Sequence, residues 1–168
     1  QQARKENDLV VASIFVNPIQ FMNKEDLEKY PRKPHEDMDM LVEAGCDIVF
    51  HPSAREMYPE KVIQKYDFGQ LETVMEGKFR PGHFNGVAIV VKKLFDIVMP
   101  DKAYFGEKDF QQLAVIRKLV DMESIPVEII PCPTIRETDG VAMSSRNERL
   151  KEHEREIAPV IYNTMREI

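Results

Sequence analysis

No run of lysine and arginine stands out in this chain, and 29 acidic residues against 23 basic ones leave a formal net charge of −6. Duplex nucleic acid is held mainly by clustered cations, so no nucleic-acid partner is expected. Cysteine is scarce: Cys46 and Cys132 stand far apart, in no spacing that suits a metal. Their apolar surroundings predict two buried thiols in a reducing, cytoplasmic setting. No uninterrupted apolar stretch approaches the ~18 residues of a membrane span, so no membrane partner is expected. The opening segment, Gln1 to Asp8, is polar and has no apolar signal-peptide core. Repeats and low-complexity segments are also missing. What remains is an ordinary globular composition, 43% apolar and 31% charged over 168 residues, too apolar for a disordered chain and long enough for a real core.

Strand-like apolar runs alternate with helical patterns. Leu9 to Val16 reads as a strand buried on both faces, ending at Asn17-Pro18. A helix follows from Pro34 to Ala44 with Gly45 as its stop, then a second strand from Asp47 to Phe50. A turn falls at Tyr58-Pro59, and a short amphipathic helix is expected from Gly69 to Met75. Phe84 to Val98 is rich in β-branched residues, yet Val87, Val90, Val91, Leu94, Phe95 and Val98 recur at the helical period, and periodicity decides for a helix. Ala103 to Phe105 is a third strand. Asp109, as N-cap, opens a helix to Glu123 that turns Leu113, Ile116 and Val120 inward. Val127 to Ile130 is a fourth strand closed by Pro131 and Pro133, Asp139-Gly140 is a tight turn, and a last helix starts near Glu152 with Ile157, Val160, Ile161, Thr164, Met165 and Ile168 at helical spacing. This alternation implies a parallel α/β sheet of the dinucleotide-binding type.

In such a sheet ligands bind beyond the carboxyl ends of the strands. The unusual polar clusters all follow such ends: Asn17 and Gln20, His51, Gly106 to Asp109, and Met143 to Asn147. Four loops on one rim are expected to converge on a single cleft. Gly106-Glu107-Lys108-Asp109 offers close backbone approach, a cation and the start of a helix, which suits polyphosphate; a solvated lysine in a βα loop is the plainer alternative. Gln111 and Gln112 can fix a carboxylate or hydroxyls, or one of them faces solvent. Met143-Ser144-Ser145-Arg146-Asn147 reads equally as a phosphate clamp or as a helix cap followed by a surface arginine. Arg80 and His83 sit in a Pro/Gly-stiffened turn, where Arg80 either binds a carboxylate or faces solvent. His35, His51 and His153 read as structural or solvated.

Taken together, Phe15-Val16-Asn17-Pro18-Ile19-Gln20-Phe21, Tyr30-Pro31-Arg32, Phe79-Arg80-Pro81-Gly82-His83-Phe84, Phe105-Gly106-Glu107-Lys108-Asp109, Gln111-Gln112-Leu113 and Asp139 to Asn147 resemble the pantothenate synthetase family along essentially the whole chain. The resemblance implies a Rossmann-like parallel sheet flanked by helices, of the nucleotidylyltransferase type, over residues 1–142. Residues 143–168 would be a signature loop and the start of a smaller C-terminal domain. It implies ATP-dependent joining of pantoate to β-alanine through pantoyl-adenylate, with Mg²⁺ assisting and AMP and pyrophosphate released, in a cytoplasmic homodimer.

By the same resemblance Gln20 and Gln112 hold pantoate, with Asn17 nearby and Gln20 also facing β-alanine. Gly106, Glu107, Lys108 and Asp109 line the ATP site, where Lys108 neutralises phosphate charge and Asp109 meets ribose. Met143, Ser144, Ser145 and Arg146 close over the triphosphate, Ile135 touches adenine through its backbone, and His83 and Arg80 lie on the pantoate and phosphate side. Lys108, Ser144, Ser145, Arg146 and His83 are the expected catalytic set, and no residue is assigned to metal. The family's His-x-Gly-His segment is not found in these residues, so the 168 residues by themselves are expected to be a fragment with little synthetase activity. Two other readings remain: another nucleotidyl-transferring enzyme of this fold, and a non-catalytic dimerising fragment.

Overall fold

Residues 1–167 are described by the structure, a computed structural model. Along the chain run α1 (Gln2–Glu6), β1 (Val11–Ser13), α2 (Lys24–Glu28), α3 (Pro34–Glu43), β2 (Ile48–Phe50), α4 (Ala54–Met57) and α5 (Met75–Phe79). Then come α6 (His83–Val98), β3 (Lys102–Gly106), α7 (Phe110–Glu123), β4 (Glu128–Cys132), α8 (Glu152–Ile157) and α9 (Pro159–Glu167). Short 3₁₀ turns at Pro18–Gln20, Gly69–Glu72, Glu107–Asp109 and Ser145–Arg149 carry most of the polar motifs.

Among the described strands both pairings are parallel, β1 with β2 and β3 with β4, and helices fill the crossovers that parallel neighbours require. The α/β class with parallel strands flanked by helices is thus the observed one. The described strands pair two by two. The first is also shorter than expected and half-buried rather than covered on both faces. Its start is diverted to Asp47, whose carboxylate accepts from the Val10 amide at 2.7 Å. Beyond the bond from the Ile14 amide to the Phe50 carbonyl, the chain bends into the Asn17-Pro18 turn. β4 runs on through Pro131, which sits opposite Phe105; with a neighbour on one side only, the strand tolerates the missing N–H.

Helical periodicity did decide the central segment. Val87, Val90, Val91 and Phe95 of α6 are buried, and they pack with Val115, Ile116 and Leu119 of α7 into one core that Phe84, Met57 and Phe68 extend. Phe95 meets Phe105 of β3 edge-on at 6.4 Å, which ties the helix layer to the second strand pair.

Two expected helices also differ. The Gly69–Met75 helix is a 3₁₀ turn followed by the separate α5, broken where Met75 adopts a left-handed φ of 47°. The last helix divides into α8 and α9 because Pro159 has no N–H to continue the ladder and starts a new helix instead. Ile157, Val160, Ile161 and Met165 are exposed, and Ile168 lies outside the described residues. Asp109 occupies the N-cap position of α7 but makes no capping bond. Both cysteines are half-buried rather than buried, and burial pushes the Cys132 thiol up. Among the described residues no helix is long and apolar enough to cross a membrane.

Candidate functional site

A polar knot joins the end of the first strand to α6. Asn17 is only 2% exposed, and its side chain is fully occupied. Its Nδ2 donates to the Gly86 carbonyl at 3.0 Å and to Gln20 Oε1 at 3.2 Å, while its Oδ1 accepts from the Tyr58 hydroxyl at 2.8 Å and from the Ile19 amide. Burial pushes the Tyr58 phenol up to about 12, so it stays a donor. Asn17 therefore places Gln20, whose Nε2 keeps its donors free among the described residues.

Gly86, which the sequence reading did not single out, makes this approach possible. A Cβ there would stand 2.7 Å from Gln20 Cα and 2.7 Å from the Ile19 carbonyl. The signal was present in principle, as a glycine inside a strongly helical pattern.

His83 closes the knot. It is 5% exposed, and its Nδ1 lies 3.0 Å from the Gln20 carbonyl. A carbonyl only accepts, so Nδ1 carries the proton and Nε2 the lone pair. Burial pulls the imidazole below its ordinary value against the opposing bond to Gln20, and the charges of Arg80 and Arg146 push the same way. Arg80 caps the end of α5 and pairs with Glu76.

The adjacent glutamines divide their labour. Gln111 is buried and engaged, its Nε2 donating to the Leu71 and Val74 carbonyls at 2.7 and 2.9 Å and its Oε1 accepting from the Glu76 amide at 2.9 Å. It pins the 71–76 segment, and through Glu76 the ion pair that holds Arg80. Gln112 is half-buried, and its amide has no partner among the described residues.

At the end of β3, Gly106, Glu107, Lys108 and Asp109 are all exposed, and Lys108 has no ion-pair partner among the described residues. Six of the seven glycines answer to a positive φ or to a backbone within 2.7 Å. Gly106 answers to neither: its φ is −71°, and a Cβ would meet nothing within 4 Å. Nothing among the described residues requires a glycine there, and its face is open.

The Met143–Asn147 segment follows a small hairpin, where Arg136 bridges Ala142 and the Met143 amide donates to the Ile135 carbonyl at 2.9 Å. That bond engages the Ile135 carbonyl while its side chain stays exposed. Ser144 does cap the turn after it, its Oγ accepting from the Arg146 amide at 3.3 Å. Ser145 and Arg146 remain exposed.

A cleft of about 770 Å³ is lined by the ends of the first two strands, including Val16, Pro18 and His51, and by Tyr30, Arg32 and Asp37. It collects two of the four expected loops and none of the residues singled out for substrate. The knot around Gln20 and His83 borders it through Pro18. No group of three His, Cys, Asp or Glu side chains able to hold a metal ion occurs among the described residues.

Comparison with known proteins places this geometry. The chain is 61% identical to pantothenate synthetase of Porphyromonas gingivalis over 95% of its own length and 57% of that protein's. It is 53% identical to pantothenate synthetase of Aquifex aeolicus over 96% of the chain and 57% of the relative. The crystal structure of pantothenate synthetase from Thermus thermophilus superposes with a TM-score of 0.92 at 51% identity, covering 96% of this chain and 59% of that one. Pantoate-beta-alanine ligase from Francisella tularensis, complexed with beta-gamma ATP and beta-alanine, superposes with a TM-score of 0.93 at 42% identity over 98% of this chain and 64% of that one. The chain thus spans a little over half the length of the curated relatives it matches. With the family model for pantoate-beta-alanine ligase matching residues 1–168, the chain belongs to the pantoate-beta-alanine ligase family.

Proposed function

We propose that this chain carries the nucleotide- and pantoate-binding part of an enzyme that joins pantoate to β-alanine at the expense of ATP. Gly106 carries the reading: it is a glycine with no structural cause, placed beside a lysine without an ion-pair partner among the described residues, at the mouth of α7 in a family of ATP-dependent ligases. The Francisella relative is complexed with beta-gamma ATP and beta-alanine, which supports ATP and β-alanine as ligands here. In this reading the pantoate carboxylate attacks the α-phosphorus of ATP, pyrophosphate leaves, and the β-alanine amine then displaces AMP. Lys108 and Arg146 act on the phosphate oxygens, where charge builds on the leaving pyrophosphate, and Ser144 and Ser145 bind the same oxygens. Gln20 offers the free donors of its Nε2 to pantoate and Gln112 its whole side-chain amide, while Asn17 and Gln111 hold the frame. His83, neutral and with its Nε2 lone pair available, accepts a hydrogen bond from a pantoate hydroxyl.

The described residues do not fit a resident metal site, because they form no acidic or histidine cluster. Mg²⁺ therefore belongs to the nucleotide as its counter-ion, and no step here runs through it. In this reading residues 1–142 are the nucleotide-binding domain and residues 143–168 the signature loop and the start of a smaller C-terminal domain, in a cytoplasmic homodimer. ATP–pyrophosphate exchange, measured with pantoate and without β-alanine in the protein at its full natural length, tests the reading. Lys108→Ala is expected to lower exchange ~10²–10³-fold, as loss of one oriented charge at a developing anion does. Exchange that does not depend on pantoate would instead favour another nucleotidyl transfer on this fold.

A further inference from the structure

The Ser145–Arg149 turn is docked on α2 and the segment after it, more than a hundred residues earlier in the chain. Arg149 donates to Asp26 Oδ1 at 3.2 Å and to the Lys29 carbonyl at 2.6 Å, and Lys33 pairs with Glu148 at 2.9 Å. Arg146 is treated differently. Its Nη2 stands 3.8 Å from Asp26 Oδ2, outside hydrogen-bond range, and its guanidinium lies 5.2 Å from the Tyr30 ring centroid. It donates no side-chain hydrogen bond among the described residues. Asp26 is itself well placed: α2 starts on a cap in which Asn23 Oδ1 accepts from the Glu25 amide at 2.8 Å.

The two arginines therefore divide the carboxylate between them. Arg149 is engaged and fixes Asp26. Arg146 is drawn toward Asp26 and over Tyr30 while all its N–H donors stay available. An exposed arginine needs such a device, because an unrestrained guanidinium loses rotamer entropy each time it meets an anion.

We propose that Asp26, locked by Arg149, is a positioning residue for Arg146, holding its guanidinium in place for the nucleotide phosphates without consuming its donors. The proposal rests on the reading of Arg146 as a phosphate ligand given above.

Two measurements on the protein at its full natural length test it. In ATP–pyrophosphate exchange, Asp26→Asn is expected to raise KM for ATP by about tenfold with kcat and Tm little changed, while Asp26→Glu restores most of the affinity. In an Arg146→Ala background the same Asp26→Asn change adds nothing, because there is no guanidinium left to place. Losses that multiply in the double variant would overturn the proposal.

The second readout is the {¹H}–¹⁵N NOE of the Arg146 Nε, assigned by its loss in Arg146→Lys. Asp26→Asn should lower it, and Arg149→Gln should do the same, which keeps the test valid if one variant folds poorly. An unchanged NOE in both overturns the proposal. If Arg146→Ala itself leaves KM for ATP unchanged, the phosphate reading fails, and the NOE alone decides whether Asp26 places Arg146.

Discussion

His83 is held in one protonation state by its surroundings. Its Nδ1 proton is fixed on the Gln20 carbonyl, and burial together with Arg80 and Arg146 disfavours a second proton, against the opposing pull of that Gln20 bond and of Glu76. The folded-state value therefore lies below the ordinary 6.5, and the unfolded chain binds the extra proton first as pH falls. His83 thus contributes stability that is complete above that ordinary value and is lost as pH drops from there to the folded value. Urea unfolding at pH 7.5 and 5.5 should show a drop in stability on acidification that is smaller in His83→Gln. An equal drop in both proteins would mean that His83 is not buried in its neutral form.

At the scale of elements, the adjacent pair Gln111 and Gln112 shows what a single residue step along a helix, about 100° of rotation, does to two identical side chains. Gln111→Leu leaves the Glu76 amide and the Leu71 and Val74 carbonyls without their partner, at a cost of about 1–3 kcal/mol. Hydrogen exchange at residues 71–80 should quicken, and exchange activity should fall indirectly as Arg80 loosens. Gln112→Leu removes no bond of the fold, so Tm should hold while KM for pantoate rises.

The sequence announces both residues in one motif but not which is which, since the answer depends on the 71–76 segment packing against α7 some forty residues away. The same division recurs around Asn17 and Gln20, where the motif is visible but the contact that orders it, Gly86 against Gln20, is not. Periodicity made α6 and α7 legible because a helix is a local pattern. Strand length and pairing were less so, because they depend on what Asp47 does to Val10. The Asp26–Arg149 and Lys33–Glu148 pairs, with over a hundred residues between partners, leave no local trace at all.

At the scale of the whole molecule, two docking contacts among the described residues tie the chain from residue 145 onward to the rest: the Ser145–Arg149 turn on α2, and α9 on the Arg136–Ala142 hairpin. The second is not electrostatic at its centre. Gly140, with a φ of 92°, turns the Arg136–Ala142 hairpin, and a Cβ there would come within 2.0 Å of the Tyr162 ring. Arg136 covers that ring with its guanidinium at 4.2 Å and donates to the Gly140 carbonyl at 3.0 Å, while Arg155 pairs with Asp139 at 2.6 Å. The pairing with Arg155 holds the Asp139 carboxyl below the usual carboxylate range.

The hairpin that ends in the candidate phosphate segment is therefore the surface on which α9 rests, and the two should move together. Gly140→Ala adds a left-handed strain of roughly 1 kcal/mol to a direct clash, and α9 is expected to lift from the hairpin. Amides of residues 160–167 should lose hydrogen-exchange protection while those of α6 and α7 keep theirs. In Gly140→Ala/Tyr162→Ala the clash is gone and only the backbone strain remains, so part of the lost Tm should return. If the double variant is as unstable as the two losses added, Tyr162 does not rest on Gly140, and the C-terminal helices are held by the ion pairs alone.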